Sequence, residues 1–331
     1  MAKASSKPNE TILVTGGAGF IGSQTCKMLA QEGLVPVTLD NLTTGHREDV
    51  KWGPLVVGDV NDHACLARLM RQYQPTAVIH FAAVTAVGES VTDPGKYYRN
   101  NVSGSLSLLE AMRDFGIKDL VFSSSAAVYG NPMRSPIPED HVVVPINPYG
   151  STKLMMERIM SDFAAAHGLR FVALRYFNAA GSDPGGEIGE RHDPETHLIP
   201  LVLDAALGRR ANVTVFGNDY PTLDGTCIRD YIHVADLADA HLRALAYLRE
   251  GGHEQAFNLG TGQGYSVKEV IAGVQRVTGR KVPHVVGERR AGDPPELVAD
   301  PLRAKRLLDW TPKHSSLDTI INHAWAFRKK I

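Results

Sequence analysis

The sequence predicts an α/β fold: a doubly wound parallel sheet with a smaller C-terminal α/β lobe. Short apolar runs rich in β-branched residues alternate with helical stretches from residue 11 to about 178. These runs are continuously apolar, as parallel strands covered on both faces are, and do not alternate between apolar and polar. The first of them, Thr11 to Thr15 (TILVT), runs straight into the glycine-rich turn GGAGFIG. A chain of 331 residues with 43% hydrophobic content can fill one main core and a second, smaller one.

Taken in order, the glycine turn opens a helix over 20 to 32 that Gly33 closes. Gly17, Gly19 and Gly22 satisfy G-x-G-x-x-G, and Gly16, Gly19 and Gly22 satisfy the looser G-x-x-G-x-x-G. Either spacing lets a pyrophosphate approach the backbone at a helix N-terminus, where free N–H groups and the helix dipole favour an anion. The next strand, Val35 to Leu39, ends in Asp40, eighteen residues past Gly22. An acid there accepts both hydroxyls of an adenosine ribose and repels a 2'-phosphate, so NAD is favoured over NADP, although Arg47 stands near enough to keep NADP open. Strand LVVGD (55 to 59), a helix over 62 to 74, strand AVIHFAA (77 to 83), a long helix over 95 to 115 and strand DLVFSSS (119 to 125) continue the pattern. Asp59 suits an adenine amino group or a plain turn equally. Phe81, Ala82 and Ala83 suit close passage of a cofactor or simple packing.

Ser123, Ser124 and Ser125 end their strand at the carboxyl edge, where open α/β sheets bind ligands. A proline-rich loop, 129 to 147, then leads to NPYGSTK and a helix in which Tyr149 and Lys153 stand one turn apart on one face. A neighbouring ammonium lowers a phenol's pKa from its ordinary value of about 10, which makes Tyr149 a candidate general base with Lys153 as its tuner. Strand RFVALRYF (170 to 177) ends in Asn178, and the regular alternation stops. Residues 182 to 197 are rich in Gly, Pro and charge, and fit an insertion or lid. Glu190, His192, Asp193, Glu195 and His197 are metal-ligating types, but they sit in loop sequence without helical spacing, so they read as solvated charges and no metal is expected. Strand VTVFG (213 to 217), helices near 235 to 249, 266 to 278 and 315 to 328, and strand AFNLG (256 to 260) complete the chain. Arg229 and Asp230 read as an ion pair, and Arg289 and Arg290 as loop cations of which one suits a diphosphate.

The formal net charge of -1 and the lack of basic runs interleaved with aromatics argue against nucleic acid or an anionic membrane as partner. No apolar run approaches the roughly 18 residues of a membrane helix. Three scattered cysteines, Cys26, Cys65 and Cys227, fit neither a disulfide framework nor a metal knuckle, so a reducing cytoplasm is expected. Residues 1 to 9 read as a loose tail.

Together, VTGGAGFIGS, LDNLTTGHR, HFAA with AVGES, FSSSAAVYG, PINPYGSTK, LRYFNAAGSDPGGEIGE, FGNDYPTLDGTCIRDYIHV and RRAGDP resemble the extended short-chain dehydrogenase/reductase superfamily, with its Rossmann-type sheet, and within it the UDP-glucose 4-epimerases, from about residue 11 to 328. The resemblance implies a firmly held NAD that oxidises carbon 4 of a UDP-hexose and returns the hydride to the other face, inverting the centre with no net redox. It assigns Ser125, Tyr149 and Lys153 to catalysis. It assigns Gly16, Gly19, Phe20, Ile21, Gly22, Asp40, Asn41, Asp59, Val60, Phe81, Ala82, Ala83, Asn100 and Phe177 to the cofactor, together with Tyr149 and Lys153. Asn178, His197, Phe216, Arg229, Tyr231, Arg290, Asp293 and Leu297 fall on UDP-sugar positions, with Arg229 and Arg290 on the diphosphate. Three positions depart from common patterns: Thr85 replaces a lysine, His197 an asparagine, and Leu297 a residue that gates the sugar's 2-substituent. N-acetylhexosamine and pentose substrates therefore stay open. A nucleotide-sugar dehydratase needs an added acid and base after the serine strand, where this chain has Ala126 and Ala127. A non-catalytic NAD-binding protein has no need of Ser125, Tyr149 and Lys153 together. The resemblance also implies a homodimer formed through the helices near 95 to 115 and 149 to 167. The NAD-binding part is expected at 10 to 178 plus about 230 to 262, and the UDP-sugar lobe at 179 to 229 plus 263 to 331.

Overall fold

The structure is a computed structural model that describes residues 10–253, 255–290 and 293–331; the expected tail at 1 to 9 lies outside them. In chain order the strands are β1 (Thr11–Thr15), β2 (Val35–Asp40), β3 (Leu55–Val57), β4 (Ala77–His80), β5 (Asp119–Ser125), β6 (Arg170–Tyr176), β7 (Asn178–Ala180), β8 (Val213–Phe216), β9 (Ile228–Arg229), β10 (Tyr231–His233), β11 (Gln255–Leu259), β12 (Tyr265–Ser266), β13 (His284–Gly287) and β14 (Glu296–Leu297). The helices are α1 (Phe20–Gln31), α2 (His63–Tyr73), α3 (Val87–Thr92), α4 (Pro94–Tyr97), α5 (Gly104–Asp114), α6 (Pro148–His167), α7 (Leu198–Leu207), α8 (Val234–Arg249), α9 (Val267–Thr278), α10 (Leu302–Leu307) and α11 (Leu317–Arg328).

Seven strands form one sheet in the order β11-β6-β5-β4-β1-β2-β3, and every pairing in it is parallel. Successive residues of a strand face opposite sides. Accordingly, Ile12 and Val14 pack with α1, α8 and Trp310, while Leu13 packs with α2, α5 and α6. A separate apolar cluster joins α7, α9 and α11 to β8 through Val202, Leu203, Val215, Val270 and Ile320. The strand order reverses between β1 and β4, which opens a crevice at their carboxyl ends.

Three expectations change. The strand expected over 77 to 83 stops at His80, because residues 81 to 86 turn outward as a loop. The helix expected over 95 to 115 begins earlier, at Val87, and is divided by Asp93 and Pro94 and by a stretch of wider π-type turns, Tyr98–Ser103. Such turns gather near functional sites. Helix α7, unexpected because it follows an irregular loop, is so uniformly apolar (LIPLVLDAAL) that it shows little amphipathic contrast.

Helix α6 starts where its sequence dictates. Pro148 occupies the first helical position, and the Asn147 side chain accepts from the Gly150 N–H at 2.8 Å. Lower on this helix, buried Glu157 accepts from the Arg175 guanidinium at 3.0 and 2.6 Å and from the Ser124 hydroxyl at 2.5 Å. This fork ties α6 to β5 and β6. Glu157→Ala is expected to destabilise the chain by about 3–5 kcal/mol, because it leaves a buried guanidinium uncompensated. Urea unfolding measures it, and a loss below about 1 kcal/mol would show that water or another acid reaches Arg175.

Candidate active site

The cofactor side is built on the close approach of three backbone segments. Gly16 has φ +71°, and a Cβ there would stand 2.7 Å from the Ala82 nitrogen. At Gly22 a Cβ would stand 2.2 Å from the Gly16 carbonyl oxygen, so a side chain at either position would push the turn open. Gly19 is the residue before α1 and has no capping side chain, which leaves the helix's first N–H groups free for an anion. Phe20 and Ile21 form the first turn of that helix. Asp40 ends β2 and is buried, its two oxygens accepting from Ala18 N at 3.0 Å and Leu42 N at 2.8 Å. Each oxygen keeps a lone pair for a ribose hydroxyl. The Asn41 amide donates to Asp59 at 2.9 Å, and Asn61 donates to it twice at 2.8 Å. Burial pushes the Asp59 carboxyl up, but these donors outweigh it and hold it below its ordinary range. Val60 is buried beside it, while Phe81, Ala82 and Ala83 are half-buried where the chain leaves β4. A cradle that excludes side chains and ends in a fixed carboxylate fits a dinucleotide.

Ser125, at the carboxyl end of β5, stands beside the Tyr149 phenol on α6, close enough to favour its ionised form. Lys153 lies one turn on, with Nζ 5.8 Å from the centre of the Tyr149 ring, and donates to the Ser123 carbonyl at 2.7 Å. The electrostatics differ from expectation. Burial pushes the Tyr149 phenol above its ordinary value and the nearby Ser125 hydroxyl only partly opposes this, so Lys153 does not lower it in the cofactor-free chain. Burial likewise drops Lys153 to about 7, although Glu157 opposes that shift. The cause is desolvation, which penalises the charged form of each group.

The residues that couple the two halves of the site were not anticipated from the sequence. Buried Asn101 donates to the Val84 carbonyl at 3.0 Å and to the Thr152 hydroxyl at 3.1 Å, and its own oxygen accepts from Val84 N at 2.9 Å. Thr152 in turn donates to the Tyr149 carbonyl at 2.7 Å. The expected Asn100 donates to Asn101 at 3.1 Å. Consecutive asparagines inside a helical pattern, where both are poor formers, were the available signal. His80 lies beneath, bonded to Thr15 at 2.6 Å and Ser105 at 2.7 Å. Burial, followed by the charge of Lys153, drops His80 to about 3, so it is neutral and adds no charge under the site.

Across the crevice, β14 pairs with β9 so that Leu297 lies beside Arg229. Arg229 is ion-paired with Asp293, not with Asp230 as its sequence neighbourhood suggests. Asp230 points the other way and accepts from Thr261, Gly262 and Ala299 backbone N–H groups at 2.8–3.2 Å. The Arg290 guanidinium lies 4.0 Å from the centre of the Phe216 ring. Tyr231, buried, sits opposite Asn178 in the β10–β7 pair. Phe177 and Leu297 pack on one apolar patch with Ala126 and Tyr129, which connects this wall to the turn after Ser125. His197 precedes α7 and pairs with Glu190. The expectation of solvated charges in this loop fails for Glu190, which is 5% exposed.

Residues 12–260 match the model of the NAD dependent epimerase/dehydratase family. The chain belongs to the NAD dependent epimerase/dehydratase family. Within this epimerase/dehydratase family, it is similar to a UDP-glucose 4-epimerase of Rhizobium leguminosarum bv. trifolii, 52% identical over 321 residues, 97% of this chain and 98% of the relative. Among solved structures it is similar to a Brucella ovis UDP-glucose 4-epimerase in complex with NAD, with a TM-score of 0.94 and 56% identity over 96% of this chain and 97% of that one. A UDP-glucose-4-epimerase from Stenotrophomonas maltophila with bound NAD and formylated UDP-arabinopyranose has a TM-score of 0.94 and 41% identity over 97% and 98% of the two chains.

Proposed function

We propose that this epimerase/dehydratase family member is a UDP-glucose 4-epimerase that interconverts UDP-galactose and UDP-glucose with bound NAD. What carries this reading is the placing of Tyr149 and Lys153 beside the end of β5, joined through the Ala126, Tyr129, Phe177 and Leu297 patch to the strand that holds Arg229, in a chain 52% identical to a UDP-glucose 4-epimerase over almost its full length.

A sugar C4–H is not acidic, so direct deprotonation is closed and the centre inverts only through a 4-keto sugar. NAD, when bound, supplies the reversible redox chemistry at carbon 4. Tyr149 takes the proton of the 4-hydroxyl and later returns it, while Ser125 holds the same oxygen by a hydrogen bond. Lys153 supplies positive charge beside the phenol and a donor for a ribose. Gly16, Gly19 and Gly22 admit the pyrophosphate, with Phe20 and Ile21 on the helix behind it. Asp40 takes the ribose hydroxyls and Asn41 the same end of the molecule. Asp59 and Val60 bound the adenine, and Phe81, Ala82, Ala83, Asn100 and Phe177 line the remaining length. Arg229, braced by Asp293, and Arg290, backed by Phe216, hold the diphosphate. With that end held, the keto sugar is free to turn between Asn178, Tyr231 and Leu297. His197 is assigned to the nucleotide end.

The two-part organisation is supported by the separate apolar clusters of the sheet and of α7, α9 and α11, and we place the NAD-binding part at 10 to 178 plus about 230 to 262, although Ala304, Leu308 and Trp310 of the expected lobe pack with the sheet. A homodimer through α5 and α6 is supported by the exposure of Tyr98, Leu106 and Met155 on those helices and the turn before them. Among the described residues no helix is long and apolar enough to cross a membrane, and Cys26, Cys65 and Cys227 are free and buried, in keeping with a cytoplasmic enzyme. Substrate breadth is the second reading. Leucine at 297 is intermediate in size, and the Stenotrophomonas structure holds a UDP-pentose derivative.

The test is a proton NMR time course of the purified chain with UDP-galactose and no added NAD. The expected result is growth of the UDP-glucose anomeric signal to a two-sugar equilibrium. No turnover with or without added NAD would overturn the hexose assignment and turn attention to pentose and acetamido sugars.

A further inference from the structure

Glu190, His192 and Glu195 have no part in the proposed reaction, and they cluster with His197, the residue assigned to the nucleotide end. One ligand atom from each lies within 4.8 Å of every other. His192 Nδ1 is 3.5 Å from a Glu190 oxygen and 3.6 Å from a Glu195 oxygen, and His197 Nδ1 contacts the same Glu190 oxygen. A tetrahedral ion with bonds of about 2.0–2.1 Å sets its ligand atoms roughly 3.4 Å apart. The two spacings around His192 are those of ligand atoms that share one ion, and small side-chain rotations would bring the Glu195 Oε2 and His197 atoms into the same sphere.

The surroundings favour a cation there. The Glu190 and Glu195 side chains are only 4% and 8% exposed, so two carboxylates lie at the buried end of a cluster whose His192 and His197 side chains, 33% and 55% exposed, open it to solvent. His192 Nδ1 and Glu195 Oε2 are buried and have no hydrogen-bond partner among the described residues. Arg328 stands 3.9 Å from that Glu195 oxygen, but its guanidinium is committed to Asp204 at 2.8 and 2.6 Å. The other Glu195 oxygen accepts from Thr196 N at 2.9 Å and His197 N at 3.0 Å, contacts that orient the carboxylate as outer-shell bonds orient metal ligands.

We propose that Glu190, His192, Glu195 and His197 form a structural site for a divalent transition metal of the zinc class. Two imidazoles with two carboxylates suit zinc, whereas calcium and magnesium favour all-oxygen sets. The ion braces the 190 to 197 loop against the start of α7, the helix that His197 precedes. The Arg191 guanidinium, between two of the ligands, already pins this loop to Asp49 at 2.7 Å. His197 is the one ligand that this site shares with the proposed nucleotide end.

The experiment uses untagged full-length protein stripped with EDTA, titrated with zinc chloride by calorimetry and with cobalt chloride by visible absorption. One ion per chain is expected, with a Kd of about a micromolar or tighter and the strong visible bands of tetrahedral cobalt. His192→Ala and Glu195→Gln are each expected to weaken binding by about tenfold or more. Zinc is expected to raise the thermal midpoint of the parent chain by more than that of either variant at the same zinc concentration. Glu195→Gln preserves the shape of the side chain, and its melt without metal shows whether it is folded. Absence of one-to-one binding in the parent chain overturns the proposal. Undiminished binding in both folded variants also overturns it, and would move the ion elsewhere, such as to the neighbouring rings of His233, His314 and His323.

Discussion

Tyr149→Phe is expected to lower turnover by about 10²–10⁴-fold, the span a single general acid–base group contributes, while NAD and UDP-sugar stay bound. The change removes one oxygen and leaves the local fold intact. Helix α6 is started by Asn147 and Pro148, and Thr152 bonds the Tyr149 carbonyl, not its phenol. Ser125 keeps the bond it accepts from Ala127 N at 3.1 Å. Thermal melts of parent and variant should therefore coincide within a few degrees. Steady-state rates with UDP-galactose, read beside the NAD content of the purified variant, separate chemistry from binding. Near-normal turnover would sink Tyr149 as the base, and lost NAD would show that the phenol holds the cofactor instead. The same reading constrains pH. Burial holds the phenol above its ordinary value in the cofactor-free chain. A proton acceptor at neutral pH therefore requires added positive charge, and the phenolate's ultraviolet absorbance should appear at lower pH in NAD-loaded protein than in stripped protein.

What was legible in the sequence was local. Gly16 and Gly22 announce a backbone approach through the absence of a side chain, and their distances to Ala82 and Gly16 bear this out. Tyr149 and Lys153 are legible because one helical turn fixes their relation whatever else folds around them. Contacts made across the fold were not legible. Arg229 and Asp230 look like a pair, but neighbours on an extended strand face opposite sides, so each finds a partner tens of residues away. Asn101 reaches Thr152, and His80 reaches Ser105, only once β4, the π-turn segment, α5 and α6 are packed together. Strands β9, β12 and β14 are two residues long, too short to carry any periodicity. The pKa pattern was missed for a related reason. Spacing shows that an ammonium stands near a phenol, but burial decides which charge survives, and burial is a tertiary property.

Lys153→Met is expected to make the cofactor-free chain more stable while lowering turnover by about 10²-fold or more. Lys153 is 2% exposed, and burial drops its pKa from 10.5 to about 7. Between those values the unfolded chain holds a proton that the folded chain has released, so this group makes stability rise with pH across that window. Below about 7 the folded chain carries the charge, and the penalty is complete, on the order of 5 kcal/mol relative to an unburied lysine. Methionine fills similar space without a charge, but loses the bond to the Ser123 carbonyl and the ammonium's contact with the Phe122 ring at 5.0 Å. Allowing about 1–2 kcal/mol for these, the net gain should be roughly 3–4 kcal/mol at pH 6 and should shrink as pH approaches 10. Urea unfolding of NAD-stripped protein at the two ends of the range measures it. A variant less stable than the parent at pH 6, or a gain that does not change with pH, would show that Lys153 is solvated by water in the folded chain and carries no such penalty. In NAD-loaded protein the order should reverse, because the lysine then gains a ribose partner that methionine lacks. That reversal would identify the penalty in the empty site as the cost of holding a charge ready for the cofactor.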